Sequence, residues 1–177
     1  GKIYGYRVTK EDNPDERQMG KIAKLGLGFG MGDAKFPFAV RAQAKDPKTG
    51  RPLIISPAFS AHVVKVYRDS HFKVVEMWDR AREALWMIIK GKYNAPVDPR
   101  GIILTAKDGL WLPNGMKIRY SGLKYGENPF GDGKAFTYWN GRSVETIYGA
   151  KVVENIVQAL ARIIVMEQCL LVKGWPW

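Results

Sequence analysis

The chain predicts an α+β fold, mostly helical: helices through the first half, then a small antiparallel sheet, then one long final helix. Three observations carry this. A capped basic helix opens at Pro14, and apolar residues recur at helical spacing from Pro57 to Ile89. From Gly101 the period shortens to two, and the pairs Asn114-Gly115 and Asn140-Gly141 mark tight turns. From about Thr146 to Lys173 helical spacing returns. With 177 residues, 46% of them hydrophobic, the chain can bury a real core in one or two domains, and the change of period at 101 divides it into residues 1–100 and 101–177.

The first helix is signalled by Glu11 to Glu16, EDNPDE. Asn13 takes the N-cap, Pro14 the first helical position and Glu16 the third, a capping-box arrangement whose acids also suit the positive end of the helix dipole. Capping, rather than a metal site, is the reading these carboxylates support. The stretch that follows, RQMGKIAKLGLGFGMG from Arg17 to Gly32, begins as a basic helix and ends with glycine at 26, 28, 30 and 32. At 100° per residue, Arg17, Lys21, Lys24 and Gly28 fall within about 60° of one another, a positive stripe leading to bare backbone. Each glycine inside a helix costs about 1 kcal/mol relative to alanine, so four in seven positions need a reason. Two reasons stand side by side: the helix ends in a Gly-rich loop, or a flat ligand such as a base lies against the backbone.

Residues 37–56 read as a connecting loop, with Asp46, Pro47, Lys48, Thr49 and Gly50 as a turn. Ser56-Pro57 starts a helix that runs to about Arg68, and a second, from about Ser70, carries Val74, Val75, Trp78, Leu85, Ile88 and Ile89 before stopping at Gly91. GIILT and GLWLP are short β-type runs, the second leading through Asn114-Gly115 into MKIRY, and KAFTYW ends at Asn140-Gly141. In the last helix Val153, Ile156, Val157, Leu160, Ile164 and Leu171 are expected to be buried. Its opposite face holds Lys151, Asn155, Gln158 and Arg162, and two readings stand: an ordinary solvated face, or, since such a face usually carries Glu and Lys and this one presents Asn and Gln beside two cations, a row of hydrogen-bond donors.

The net charge of +11 and a pI near 9.8 point to nucleic acid, a nucleotide or an anionic membrane surface. The one cysteine, Cys169, excludes a disulfide framework, suits a reducing compartment and reads as a small buried hydrophobe. No unbroken apolar run approaches a membrane span, so a cytoplasmic protein with no membrane partner is expected. The abrupt opening at Gly1, without an initiator methionine, and the close at Trp177 suggest a piece of something longer. His62 and His71 lack any metal-ligand spacing and read as structural or surface residues. The glycines do not satisfy G-x-G-x-x-G, because Gly26 and Gly28 would require glycine where Met31 stands, and neither a Walker loop nor G-x-S-x-G is present.

The minor groove offers acceptors, purine N3 and pyrimidine O2, at similar positions in every base pair, so a row of donors there can sense pairing geometry without reading sequence. One helix therefore suits a triphosphate and another a duplex groove, the two tasks of a template-directed polymerase. R-x-x-x-K-x-x-x-L-G-x-x-F-G, formed by Arg17, Lys21, Leu25, Gly26, Phe29 and Gly30, resembles motif B of the family A (DNA polymerase I-like) DNA polymerases. The order IYG, YRDSHFKVVEMW, LPNGMKIRY, TYW and YGAKVVENIVQALAR is similar to the phage branch of that family.

The resemblance implies a right-hand polymerase fold, with a fingers-like helical region in 1–100 and antiparallel hairpins plus a palm-like helix in 101–177. It implies that Arg17 and Lys21 bind the triphosphate of a dNTP and that Lys21 protonates the leaving pyrophosphate. Leu25 matches the position, usually Phe or Tyr, that packs on the sugar, and Phe29 the tyrosine that stacks at the template base. Gly26 and Gly30, together with Lys151, Asn155, Gln158 and Arg162, would contact the DNA primer-template. Ile163 replaces an acidic residue common in relatives. The family's two Mg²⁺ ions are held by aspartates in motifs flanking this segment, so the remaining polymerase segments are implied partners and the chain alone is expected to bind without polymerising. A noncatalytic nucleic-acid-binding module is the alternative.

Overall fold

The computed structural model describes residues 2–45 and 49–173. It is an α+β structure with five helices and two three-stranded antiparallel sheets among the described residues. Two compact units divide between Val75 and Glu76, and each has its own apolar core.

The first unit is helical. α1 spans Pro14–Gly28 and buries Met19, Ile22, Ala23 and Leu27. Asn13 holds the expected N-cap position, but its side chain makes no capping bond. Asn13 Oδ1 instead accepts from the Thr9 N–H at 3.4 Å, and Glu16 accepts from the Tyr6 hydroxyl at 3.0 Å. The capping box is thus absent because both of its members are engaged by the preceding loop. The expected connecting loop over 37–56 contains a helix, α2, Phe36–Gln43. Pro37 in its first turn costs nothing there, and Phe36, Val40 and the following Ala44 are buried in the same core as α1. Of the expected turn over 46–50, Asp46, Pro47 and Lys48 lie outside the described residues, while Lys45 pairs with Pro52 in an isolated antiparallel bridge. α3, Pro57–Ser70, starts as expected: the Ser56 hydroxyl caps it by accepting from the Phe59 N–H at 3.1 Å.

α4, Phe72–Ile89, crosses the boundary and contributes Ala81, Ala84, Leu85 and Ile88 to the second core. β1 (Leu104–Ala106), β2 (Gly109–Trp111) and β3 (Lys117–Arg119) form one sheet in that order. The β2–β3 turn falls at Asn114-Gly115: Gly115 takes φ +79°, and Asn114 Oδ1 accepts from the Met116 N–H at 3.1 Å. β4 (Ser121–Glu127), β5 (Lys134–Trp139) and β6 (Val144–Ile147) form the other. The expected single sheet is therefore two. β4 lacks a clean alternation, with Gly122 and Gly126 at pleat positions and a register shift between Ser121 and Lys124. β6 occupies Thr146, so the final helix, α5, begins later than expected, at Gly149, and runs to Lys173.

The buried side of α5 also differs from expectation. Val152, Ile156 and Ile163 are buried, Val153 and Leu160 pack partly against the core, and Val157, Ile164 and Leu171 are exposed. Glycine at 149 fixes this rotation, because a Cβ there would collide with the Trp78 carbonyl. Cys169 is likewise exposed rather than buried, lying beyond the last buried residue of α5. Among the described residues α5 is the one helix long and apolar enough, by length and composition, to cross a membrane. The expectation against a span rested on unbroken runs, which Glu154, Arg162 and Glu167 interrupt.

Candidate functional site

Each unit carries one candidate surface. On the first unit, Arg17, Lys21, Leu25 and Phe29 follow one another at four-residue intervals along α1, and all four are exposed, Leu25 at 62% and Phe29 at 43%. Arg17, Lys21 and Lys24 border an open groove of about 610 Å³ whose other walls include Lys2, Tyr4, Tyr67 and His71. Four cations face it, against one carboxylate, Glu16, which the Tyr6 hydroxyl engages at 3.0 Å. Such a groove attracts a polyanion.

The groove's aromatic lining was not anticipated. Tyr4 packs 5.8 Å from the Phe59 ring, and burial, reinforced by Glu16, pushes its phenol up to about 12. Burial raises Tyr67 as well. Tyr67 stacks on His71 with centroids 4.3 Å apart and planes 15° off parallel. His71 Nδ1 lies 2.9 Å from the Tyr67 carbonyl oxygen, which can only accept, so Nδ1 carries the proton and, in the neutral ring, Nε2 is the acceptor. The i,i+4 spacing of Tyr67 and His71 was readable in the sequence, but nothing there placed them beside α1.

In the glycine run one position, Gly30, is required by its backbone conformation, and two more, Gly26 and Gly28, face side chains of the same unit. Gly30, at φ +79°, is the left-handed residue of a Schellman ending: the Met31 N–H reaches Gly26 O at 3.4 Å and the Gly30 N–H reaches Leu27 O at 3.0 Å. The Met31 side chain folds over Gly26, where a Cβ would lie 3.1 Å from Cε, and a Cβ on Gly28 would lie 3.4 Å from the Tyr67 hydroxyl. Gly32 alone has open space in front of it, so the bare patch is smaller than the spacing suggested.

On the second unit a groove of about 1000 Å³ runs between α5 and the β2–β3 hairpin. Asn155, Gln158, Arg162 and Ile163 line one side, and Asn114, Met116 and Lys117 the other. Relative to Val152, Asn155 and Arg162 sit about 60–80° round the helix, so the polar stripe flanks the buried face rather than opposing it. That offset is what turns it toward the hairpin. Asn155 Nδ2 donates to the Tyr120 hydroxyl at 3.2 Å, and Gln158 Nε2 to Glu154 Oε1 at 3.1 Å. Lys151 is drawn off by Glu154 at 3.4 Å and lies outside this groove, bordering a separate one of about 700 Å³ with Glu145 and Tyr148. Lys117 Nζ donates to the Lys107 carbonyl at 3.0 Å and sits over the Trp111 ring.

Among the described residues no three His, Cys, Asp or Glu side chains gather where they could hold a metal ion. Neither groove offers the carboxylates Mg²⁺ needs, since Glu16 and Glu167 stand as the one acid in each. The residues lining the two grooves do not fit that ion. No protein-family model, characterised protein or solved structure matches the chain.

Proposed function

We propose that this chain supplies the dNTP-binding and primer-template-binding surfaces of a family A, phage-type DNA polymerase, the fingers and part of the palm, working with further polymerase segments that hold the Mg²⁺ ions. The observation that carries the reading is the exposed row Arg17, Lys21, Leu25 and Phe29, two cations and then two apolar groups on one ridge of α1, beside a groove with four cations. A deoxynucleotide has that order of chemistry: phosphates, then sugar and base. Arg17 and Lys21 neutralise the triphosphate, with Lys21 as proton donor to the departing pyrophosphate, because phosphoryl transfer is catalysed chiefly by positioning and charge stabilisation. Leu25 packs on the sugar and Phe29 on the template-side base. Gly26, beneath the Met31 side chain, and Gly30 lie at the same end of the helix, beside the template strand in this reading. Asn155 and Gln158 in the second groove present donors suited to the minor-groove acceptors of a primer-template, Arg162 beside them is a cation for the phosphate backbone, and Lys151, outside that groove, adds a second cation on the same helix.

The test is binding of the protein to a fluorescent primer-template duplex with and without the template-complementary dNTP. The complementary nucleotide should tighten the complex, and the three others should not. Lys21→Ala should weaken the nucleotide response about tenfold, the scale of one charge-assisted contact, while changing duplex affinity in the absence of nucleotide less than twofold, about 0.4 kcal/mol. Duplex binding indifferent to every nucleotide would instead identify a noncatalytic nucleic-acid-binding module.

A further inference from the structure

Tyr120 is the largest of the fully buried side chains, 1% exposed, and its hydroxyl is the one polar atom it has to satisfy. The residue is held from both ends. Its N–H donates to the Asp108 carbonyl at 2.7 Å, and its ring meets Tyr138 edge-on, centroids 5.3 Å apart and planes at 83°. In the same hairpin β2 and β3 pass so closely at Gly109 that a Cβ there would strike the Ile118 carbonyl. At the end of this rigid ring the hydroxyl accepts from Asn155 Nδ2 at 3.2 Å. A planar carboxamide with one N–H spent on a fixed acceptor is itself fixed, leaving its second N–H and its oxygen for a partner. Asn155 lines the groove and Tyr120 does not.

We infer that Tyr120 is a positioning residue for duplex recognition: it holds the Asn155 carboxamide so that the remaining donor meets the minor-groove acceptor of a correctly paired base. This rests on the reading of the α5–hairpin groove as a primer-template surface and names a residue that would set its geometry. The consequence is discrimination. A mispaired base shifts its acceptor, and a carboxamide that cannot rotate loses the bond, whereas a free one follows. Burial raises the Tyr120 phenol far above its ordinary value, so it stays a neutral hydroxyl across the working pH range.

The experiment measures equilibrium binding of the 177-residue protein to matched and terminally mismatched primer-template duplexes, with thermal midpoints alongside. Tyr120→Phe should weaken matched binding about fivefold, the scale of one net hydrogen bond, and mismatched binding by less, narrowing the ratio between them. Combined with Asn155→Ala it should add nothing further. Effects that multiply, or an equal loss on both duplexes, would overturn the inference and leave Tyr120 as packing alone. A measurement on the unsubstituted protein does not depend on the variant folding: one Asn155 carboxamide proton should exchange more slowly than its geminal partner, and equally fast exchange of both would also overturn it. If the unsubstituted protein fails to bind duplex at all, the reading of the groove falls and this inference with it. Binding with a multiplicative cycle removes the inference alone.

Discussion

Tyr4 lies against Phe59 and near Glu16, and its phenol rises from the ordinary value of 10 to about 12 through burial first and the neighbouring carboxylate second. The fold therefore favours the neutral form. That contribution is fully present below pH 10, where the unfolded tyrosine is also protonated, and is lost as pH rises through about 12. Thermal midpoints between pH 9 and 12 should fall more steeply for the unsubstituted protein than for Tyr4→Phe, which has nothing to ionise; parallel curves would mean that Tyr4 is not the group responsible. Tyr67 is raised by burial too, but it is present in both proteins and drops out of the difference. At this scale the sequence marked charges better than their neighbours. Arg17, Lys21 and Lys24 were placed on one face by angle alone, and they line one groove. Tyr4, Tyr67 and Tyr120 stand in the runs IYG, YRDSHFKVVEMW and LPNGMKIRY, but their places were not legible, because an aromatic among apolar residues looks the same whether it walls a cleft or fills a core.

Glycines decide two element boundaries, and they predict opposite outcomes for the same substitution. Gly149 opens α5 against α4, where a Cβ would collide with the Trp78 carbonyl and approach the Arg82 nitrogen at 3.3 Å. Backbone cannot yield there, so Gly149→Ala should destabilise by about 1–3 kcal/mol despite alanine's better helix propensity. Gly26→Ala meets only the flexible end of Met31, at 3.1 Å from Cε. There the propensity gain of about 1 kcal/mol should win or cancel, leaving stability unchanged or slightly raised. Urea midpoints of the two variants check the pair, and a destabilised Gly26→Ala with an unaffected Gly149→Ala would reverse the assignment. The same contacts explain which elements the sequence made legible. α3, α4 and the β2–β3 turn were readable from Ser56-Pro57, from apolar spacing and from Asn114-Gly115, all local signals. α2 was hidden because Pro37 and the Lys, Asp and Pro residues of 45–52 give the 37–56 stretch a loop-like composition, whereas Phe36 and Val40 are buried in the core shared with α1 and α3. The face of α5 was misjudged by about 80° because Val157, Ile164 and Leu171, no less apolar than the buried Val152, Ile156 and Ile163, are exposed, while Gly149 sets the rotation through a tertiary contact.

Charge is distributed over the whole molecule rather than gathered in one tail. Fourteen of the 28 basic residues and seven of the 17 acidic ones precede Glu76, which leaves +7 on the first unit and +4 on the second. Nucleic-acid affinity should therefore be strongly salt-dependent, since each phosphate neutralised releases counterions and contributes about 0.9 to the slope of log K against log salt on B-form DNA. The two kinds of contact proposed for the α5 groove separate on this axis. Arg162 is exposed and no described side chain pairs with it, so it is free to meet a phosphate. Arg162→Gln should lower affinity for all duplex sequences alike and reduce the slope by about 1. Asn155→Ala removes a neutral donor, so it should weaken binding at every salt concentration while leaving the slope unchanged. Titrations between about 50 and 200 mM salt resolve the difference, because several phosphate contacts change affinity by orders of magnitude over that range. An unchanged slope in Arg162→Gln, or a reduced one in Asn155→Ala, would exchange their roles and remove the basis for reading α5 as a helix that senses the groove rather than the backbone.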